Sequence, residues 1–306
     1  VAVINTGLLT KGLRSEFLNR LEQTQTYFQD LATRIVSNAR SETYRWLGTV
    51  PQLREWGNGR LTKGLRTESY SVENLKYEAT LEVDRDELAD DQTGQIRVRV
   101  GELAERAATH KDFLISQLLI NGESSGFEGY DGVPFFSDSH VSGASGSQDN
   151  KLSTIVGDLS AVTAEEFRGS LRRAIESMLA FRDDQGQPMS IAASGLHCVV
   201  PPSLFFAALE AINSTVVNNT SNALEGAARV IALPWLTDSS KWYLVKNNGV
   251  VRPFIFQDRE PIEFDALAED SEESFKREKL LFGVRARYRM AYGYWQFAVR
   301  TQLAET

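Results

Sequence analysis

The sequence predicts an α+β fold, on three observations. A helical periodicity runs from about residue 95 to 120, with Val100, Leu103, Ala104, Ala107, Leu114, Leu118 and Leu119 recurring on one face. Twofold alternation of apolar and polar residues fills two extended stretches, Tyr70 to Val83 and Ala291 to Arg300. Between them, short helical and strand patterns succeed one another. With 306 residues, 42% of them hydrophobic, the chain can bury a substantial core and suits two packed units or one elaborated domain.

Residues 1–45 predict an extended arm and then a helix, on which Leu13, Phe17, Leu21 and Phe28 form an apolar stripe that needs a surface to cover. From Trp46 to Arg66 two indoles, Trp46 and Trp56, stand among Gly48, Pro51, Gly57, Gly59 and Gly64, the composition of a long hairpin or loop. The strand pattern of Tyr70, Val72, Leu75, Tyr77, Ala79, Leu81 and Val83 is interrupted near Asn74, where a bulge or bend is expected. Asp84, Asp86, Glu87, Asp90 and Asp91 do not follow the order of a calcium-binding loop. They suit a solvated helix start, with Asp84 as cap and Gly94 as stop before the long helix.

Residues 121–150 are rich in Gly and Ser, too long for an ordinary connection. Tyr130, Phe135 and Phe136 predict an anchored first half, and Ser142 to Ser147 a flexible second half. Thr163 with Glu166 three residues on predicts a capped amphipathic helix carrying Phe167, Leu171, Ala174, Ile175, Met178 and Leu179. His197 to Val200 reads as a buried strand stopped by Pro201 and Pro202, Leu204 to Ile212 as a helix, and 230–233 and 242–245 as strands. After Gly249 a strand is expected over Val250 to Phe256, and Ala291 to Arg300 predicts a strand with one buried face and one free face.

Charge and cysteine usage exclude several classes. Subtracting 41 acidic from 33 basic residues gives −8, which opposes broad attraction to nucleic-acid phosphates. The single Cys198 excludes an intramolecular disulfide, so a reducing compartment is expected. No apolar run reaches the twenty or so residues that span a bilayer, and residues 1–12 lack the pattern of a secretory signal.

Chemistry is sought and not found. His110, His140 and His197 have no ligand spacing, and His197 and Cys198, adjacent on a strand, point to opposite faces. Asp138 and His140 share a face if extended, the arrangement closest to an acid/base pair, but no nucleophile motif accompanies it, so a hydrolase is a minor alternative. Neither a dinucleotide fingerprint nor a phosphate loop occurs. No catalytic, cofactor or metal residues are assigned. Arg285, Arg287 and Arg289 alternate with Val284, Ala286 and Tyr288 and emerge on one strand face. Such a face suits an acidic loop of another subunit or nucleic-acid phosphates, and the net charge favours the subunit.

The blocks Tyr44-Arg45-Trp46-Leu47-Gly48, Pro51, Leu53-Arg54-Glu55-Trp56 and Gly59-Arg60 resemble the major head subunit of Mu-like phages and prophages. The resemblance continues in order through Tyr70-Ser71-Val72-Glu73-Asn74, Arg85 to Asp91, and Tyr130-Asp131-Gly132-Val133-Pro134-Phe135-Phe136. It closes with Arg252 to Gln257, Phe282 to Arg287 and Gly293-Tyr294-Trp295-Gln296. Two departures stand out: Val141 replaces a common proline, and the loop after it is Ser/Gly-rich.

The resemblance implies the tailed-phage major capsid fold of the Hong Kong-phage type: an N-terminal arm at 1–45, an E-loop at 46–83, a peripheral domain at 84–151 with its long spine helix, an axial domain at 152–248, and a return to the peripheral domain at 249–306. It implies a structural role, not an enzyme: pentameric and hexameric capsomers closing into an icosahedral shell around double-stranded DNA, bound without sequence specificity and with no membrane contact. Assembly would take place in the host cytoplasm with a portal and a scaffold/protease system, and the mature location would be the virion head. Trp46, Leu47 and Trp56 are the expected E-loop anchors, because large rigid apolar groups contribute strongly when desolvated. Arg54, Arg60 and Arg66 would orient the loop through carboxylates, and Arg285, Arg287 and Arg289 would meet a neighbouring subunit. The alternative is a soluble scaffold or adaptor with the loop packed on its own chain.

Overall fold

The computed structural model describes residues 6–45, 47, 70–90, 94–189, 191–217, 220–267 and 276–305. The chain runs from helix α1 (Thr6–Gln23) and a single turn α2 (Phe28–Leu31) into strands β1 (Ala32–Val36), β2 (Ser41–Tyr44), β3 (Tyr70–Glu73) and β4 (Leu75–Asp84). Helices α3 (Arg85–Asp90) and α4 (Gln95–Asn121) follow, then a small hairpin β5 (His140–Val141) and β6 (Ser147–Gln148). Next come β7 (Lys151–Val156), α5 (Ala164–Ala180), β8 (Leu196–Val200), α6 (Phe205–Asn213), β9 (Val216–Val217) and β10 (Thr220–Ser221). The last strands are β11 (Ala228–Ala232), β12 (Lys241–Lys246), β13 (Phe254–Leu267), β14 (Lys279–Tyr292) and β15 (Ala298–Glu305). Two larger sheets organise the described residues, in strand orders β1-β13-β14-β4 and β11-β8-β12-β15-β7.

Helix α1 finds its surface on its own chain. Leu13 and Phe17 join Val83, Ile96, Val100, Ala104, Phe264, Leu280, Phe282 and Val284 in one core between α1, α4 and the four-stranded sheet. Phe17 stacks on Phe264 with ring centres 4.8 Å apart, and its complete burial is worth about 1.5–3 kcal/mol. Phe28 does not extend this helix. It opens the separate turn α2, because the N–H groups of Tyr27 and Phe28 donate to the buried Asp112 carboxylate of α4 at 2.7–3.1 Å. A partner 84 residues away, not local periodicity, sets where the helical turn begins.

The ends of the long helix follow local rules. Asp84 Oδ1 accepts the Asp86 N–H at 3.0 Å at the head of α3. Gly94, with φ of 75°, takes a left-handed conformation that glycine tolerates and launches α4. The strand expected over Val250 to Phe256 begins at Phe254 and runs on to Leu267, through Pro261. Register shifts between Asp258 and Glu260 and between Glu260 and Glu263 accommodate that proline, and β1 ends opposite Asp258, so the missing N–H falls beyond that neighbour.

Helices α5 and α6 pack on the five-stranded sheet. Thr163 and Glu166 form the expected capping box, with Thr163 N–H donating to Glu166 Oε2 at 2.9 Å and Glu166 N–H donating to Thr163 Oγ1 at 3.3 Å. Phe167 packs on Trp242, whose indole N–H donates to Ser170 Oγ at 3.1 Å. Strand β8 is buried along its whole length and pairs in parallel with β11, with α6 as the crossover between them.

Two expectations are corrected here. Residues 291–300 are not one strand with a free face: β14 ends at Tyr292, a 3-10 turn covers Trp295–Phe297, β15 starts at Ala298, and every residue from Met290 to Thr301 is buried. The chain crosses from one sheet to the other here, so both faces of the pattern are covered. Gly293 permits the crossing, since a Cβ would stand 3.0 Å from the Pro253 carbonyl oxygen. Of the strands on either side of this crossing, β13 and β14 lie in the four-stranded sheet, and β15 lies in the five-stranded one beside β7 and β12. Residues 142–146 form the turn of the β5–β6 hairpin and Ser147 pairs with Val141, instead of a flexible run, with Ser142 N–H donating to Ser145 Oγ at 3.0 Å. Gly143 sits so close to Asp184 that a Cβ would meet its carbonyl oxygen at 2.4 Å.

Candidate assembly site

The motif residues of the middle and end of the chain meet at the junction of the two sheets. Asp131 Oδ2 lies 2.6 Å from His140 Nδ1, with both side chains buried. Nε2 of the same ring faces the Phe135 carbonyl and Asn150 Oδ1 at 3.3 and 3.2 Å. The ring stacks on Trp295 at 4.1 Å with planes 7° apart. Tyr130 exchanges hydrogen bonds with Gln296 and packs edge-on against Tyr294. Phe135 stacks on Tyr292 at 4.3 Å. Asn150 Nδ2 donates to the carbonyls of Phe135, Trp295 and Ala298. The blocks Tyr130 to Phe136 and Gly293 to Gln296 are thus two halves of one internal joint.

This joint leaves no room for the acid/base alternative. The histidine's partner is Asp131, not Asp138, which is exposed while the His140 ring is wholly buried. Cys198 is fully buried and burial raises its thiol pKa far above the ordinary range, opposing thiolate formation. Among the described residues, no group of three or more His, Cys, Asp or Glu is placed to hold a metal ion. No helix among them is long and apolar enough to cross a membrane.

A second feature is the outer face of the four-stranded sheet. Val284, Ala286, Tyr288 and Met290 of β14 face inward, and Arg285 and Arg289 are exposed between them, with Arg287 partly so. Arg285 and Arg287 share the Glu260 carboxylate at 2.8 and 3.6 Å, and Arg289 hydrogen-bonds the Tyr77 hydroxyl, whose pKa burial raises. All three arginines do lie on one face, held in part by their own sheet.

The third is the root of the segment from Arg45 to Ser69. Strands β2 and β3 are antiparallel with Tyr44 opposite Tyr70, which brings the two ends of that segment together. Asn74 interrupts the extended run as expected, and β4 beyond it pairs with β14 as a full member of the four-stranded sheet. Leu47 is 2% exposed and belongs to the large core of its own chain. Trp46, Arg54, Trp56, Arg60 and Arg66 lie outside the described residues. Spacing gives no signal for the Asp131–His140 pair, nor for Glu123, whose carboxylate gathers Arg300, Lys151 and Lys241 at 2.6, 3.2 and 3.2 Å.

The family profile described as the Mu-like prophage major head subunit gpT matches residues 7–167, 159–236 and 237–305. The major capsid protein of Escherichia phage Mu is 26% identical over 287 residues, covering 94% of this chain and 70% of that protein. The Mu-like prophage FluMu major head subunit of Haemophilus influenzae is 22% identical over 288 residues, with the same coverages. Among solved structures, the procapsid of bacteriophage JBD30 superposes with a TM-score of 0.59 at 22% identity, covering 99% of this chain and 76% of that one. A virus-like particle from Pyrococcus furiosus gives 0.57 at 11% identity, covering 95% and 98%. At such identities the structural likeness carries the fold alone, which is that of tailed-phage major capsid subunits.

Proposed function

Because the chain belongs to the Mu-like prophage major head subunit family, and is therefore a structural subunit of a phage head, we propose that its copies form pentameric and hexameric capsomers that close into an icosahedral shell around double-stranded DNA. The observation that carries this is the pairing of Tyr44 with Tyr70: the described chain on either side of residues 48–69 is held together at one point, as the root of a hairpin that reaches a neighbour would be. In this reading the four-stranded sheet with α1 and α4 is the peripheral unit, α4 is its spine, and the five-stranded sheet with α5 and α6 is the axial unit. The E-loop comprises residues 46–83, of which 46–69 engage the neighbour and β3 and β4 form the returning stalk.

Trp46 and Trp56 anchor the loop on the adjacent subunit, and Arg54, Arg60 and Arg66 orient it through carboxylates. Leu47, buried in its own core, fixes the near end. Arg285, Arg287 and Arg289 present a basic face to a neighbour. Packaged DNA is confined with its counterions and not held by a sequence-reading site, in keeping with a net charge of −8. A portal and a scaffold/protease system act during assembly in the host cytoplasm. Sedimentation of the purified chain across protein concentration tests the stoichiometry: species of five and six copies support it, and a monomer or dimer at every concentration favours a soluble adaptor.

A further inference from the structure

The hairpin root is clamped by a buried polar network that no packing requirement explains. Gln257 of β13 is 0% exposed and directly follows the apolar strand start Phe254-Ile255-Phe256. Its Oε1 accepts the Tyr44 hydroxyl of β2 at 2.6 Å. Its Nε2 donates to the Val72 carbonyl of β3 at 3.1 Å and to Asn74 Oδ1 at 2.8 Å. Asn74, itself buried, donates from Nδ2 to Ser37 Oγ at 2.9 Å and to the Ala39 carbonyl at 3.0 Å, and from its backbone to the Arg40 carbonyl at 3.0 Å. Ser37 Oγ donates in turn to Glu42 Oε1 at 2.9 Å, which also accepts the N–H groups of Asn38 and Ala39. Both amide side chains are therefore satisfied at oxygen and nitrogen alike.

Such a network has directional consequences. An apolar residue at 257 would fill the same volume but would leave β2 and β3 free to slide or tilt on the sheet, because apolar contact is non-directional. Hydrogen bonds from one amide to both strands of the hairpin and to the break between β3 and β4 fix an angle. The break also falls where the hairpin changes partners: β3 pairs with β2, while β4 pairs with β14.

We infer that Gln257 and Asn74 are positioning residues that set the direction in which the chain leaves the body at Tyr44 and returns at Tyr70, and so the geometry in which one subunit engages the next. This rests on the reading of residues 46–69 as an intersubunit loop. The test uses the full chain in a Cys198→Ala background, with spin labels on cysteines introduced at the exposed positions Ser71 and Glu102, and pulsed electron resonance to read the distance distribution between β3 and α4. Gln257→Leu is expected to broaden that distribution and to lose closed shells. Met178→Ala, a remote core change, is expected to lower stability while leaving the distribution narrow and shells intact. Asn74→Asp, which keeps the acceptor for Gln257 and loses the Nδ2 donors, is expected to broaden it less and provides the measurement if Gln257→Leu does not fold. An unchanged distribution in the folded variants, or broadening with full shell yield, overturns the inference. Excision of residues 48–69 with no loss of shells overturns the loop reading instead, and the distance distribution still decides whether the clamp exists.

Discussion

Arg300 of β15 and Glu123, just past the end of α4, meet at 2.6 Å, and Arg300 is almost fully buried. Lys151 and Lys241 reach the same carboxylate, so one acidic group ties the end of the long helix to three strands of the five-stranded sheet. Burial raises the Glu123 pKa, but the three cations, Arg300 foremost, outweigh it and hold the carboxyl below its usual range. Glu123→Gln leaves a buried guanidinium without its counterion and is expected to cost about 3 kcal/mol, the low end for a broken buried pair, because Glu123 is partly exposed. The pH dependence follows from the lowered pKa. The stabilisation is present above the ordinary glutamate value and lost as pH falls through the depressed one. Denaturant unfolding at pH 7 and near pH 4 should therefore show the gap between wild type and variant narrowing in acid, and a constant gap would contradict the assignment.

Asp112 has the opposite sign. Burial outweighs its hydrogen bonds from Tyr27 and Phe28 and raises its pKa to about 6. A carboxyl raised in the folded state contributes stability that is full below its unfolded value and is lost as pH rises through about 6, a change of at most about 3 kcal/mol. Asp112→Asn keeps an acceptor for those N–H groups without the charge, so it should approach or exceed wild-type stability at pH 7.5 and fall below it at pH 4.5. Asp112→Ala leaves the donors unmet and should cost about 1–3 kcal/mol at pH 7.5 and more at pH 4.5, where the protonated carboxyl still contributes its stability. Equal pH profiles for wild type and Asp112→Asn would refute the sign.

The basic face of β14 separates folding from assembly. Arg285 is half exposed in its pair with Glu260, so Arg285→Ala should change stability by no more than about 1 kcal/mol. If that face meets a neighbour, the same variant loses shells, as measured by gradient sedimentation of particles. A stable Arg285→Ala subunit that assembles normally removes Arg285 from the interface.

Trp56→Ala makes the same separation for the loop. The expected outcome is an unchanged melting temperature with a steep fall in particle yield, since a desolvated indole at an interface is worth about 2 kcal/mol or more. A lowered melting temperature with normal particles would instead place Trp56 in its own chain's core.

What the sequence discloses about this fold tracks the range of the forces involved. The Thr163–Glu166 capping box and the single face of Arg285, Arg287 and Arg289 depend only on the geometry of one helix start or one strand, and both are legible. The break at Asn74 is legible as lost alternation, but its cause, an amide 183 residues away, is not. Extended alternation alone pairs His140 with the wrong aspartate, because a turn in which Gly129 N–H bonds the Val133 carbonyl folds Asp131 back toward the ring. The crossing at Gly293 reads in sequence as a continued strand, since burial on both faces follows from the meeting of two sheets and leaves no local trace.

The central claim, that copies of this chain build a closed shell through the segment rooted at Tyr44 and Tyr70, is tested most directly by electron microscopy of the purified full-length chain beside its Trp56→Ala variant. The account predicts closed particles with visible five- and six-fold capsomers for the wild type and dispersed subunits for the variant. Wild-type material that stays monomeric across salt, pH and concentration, or particles formed equally by both, would contradict it.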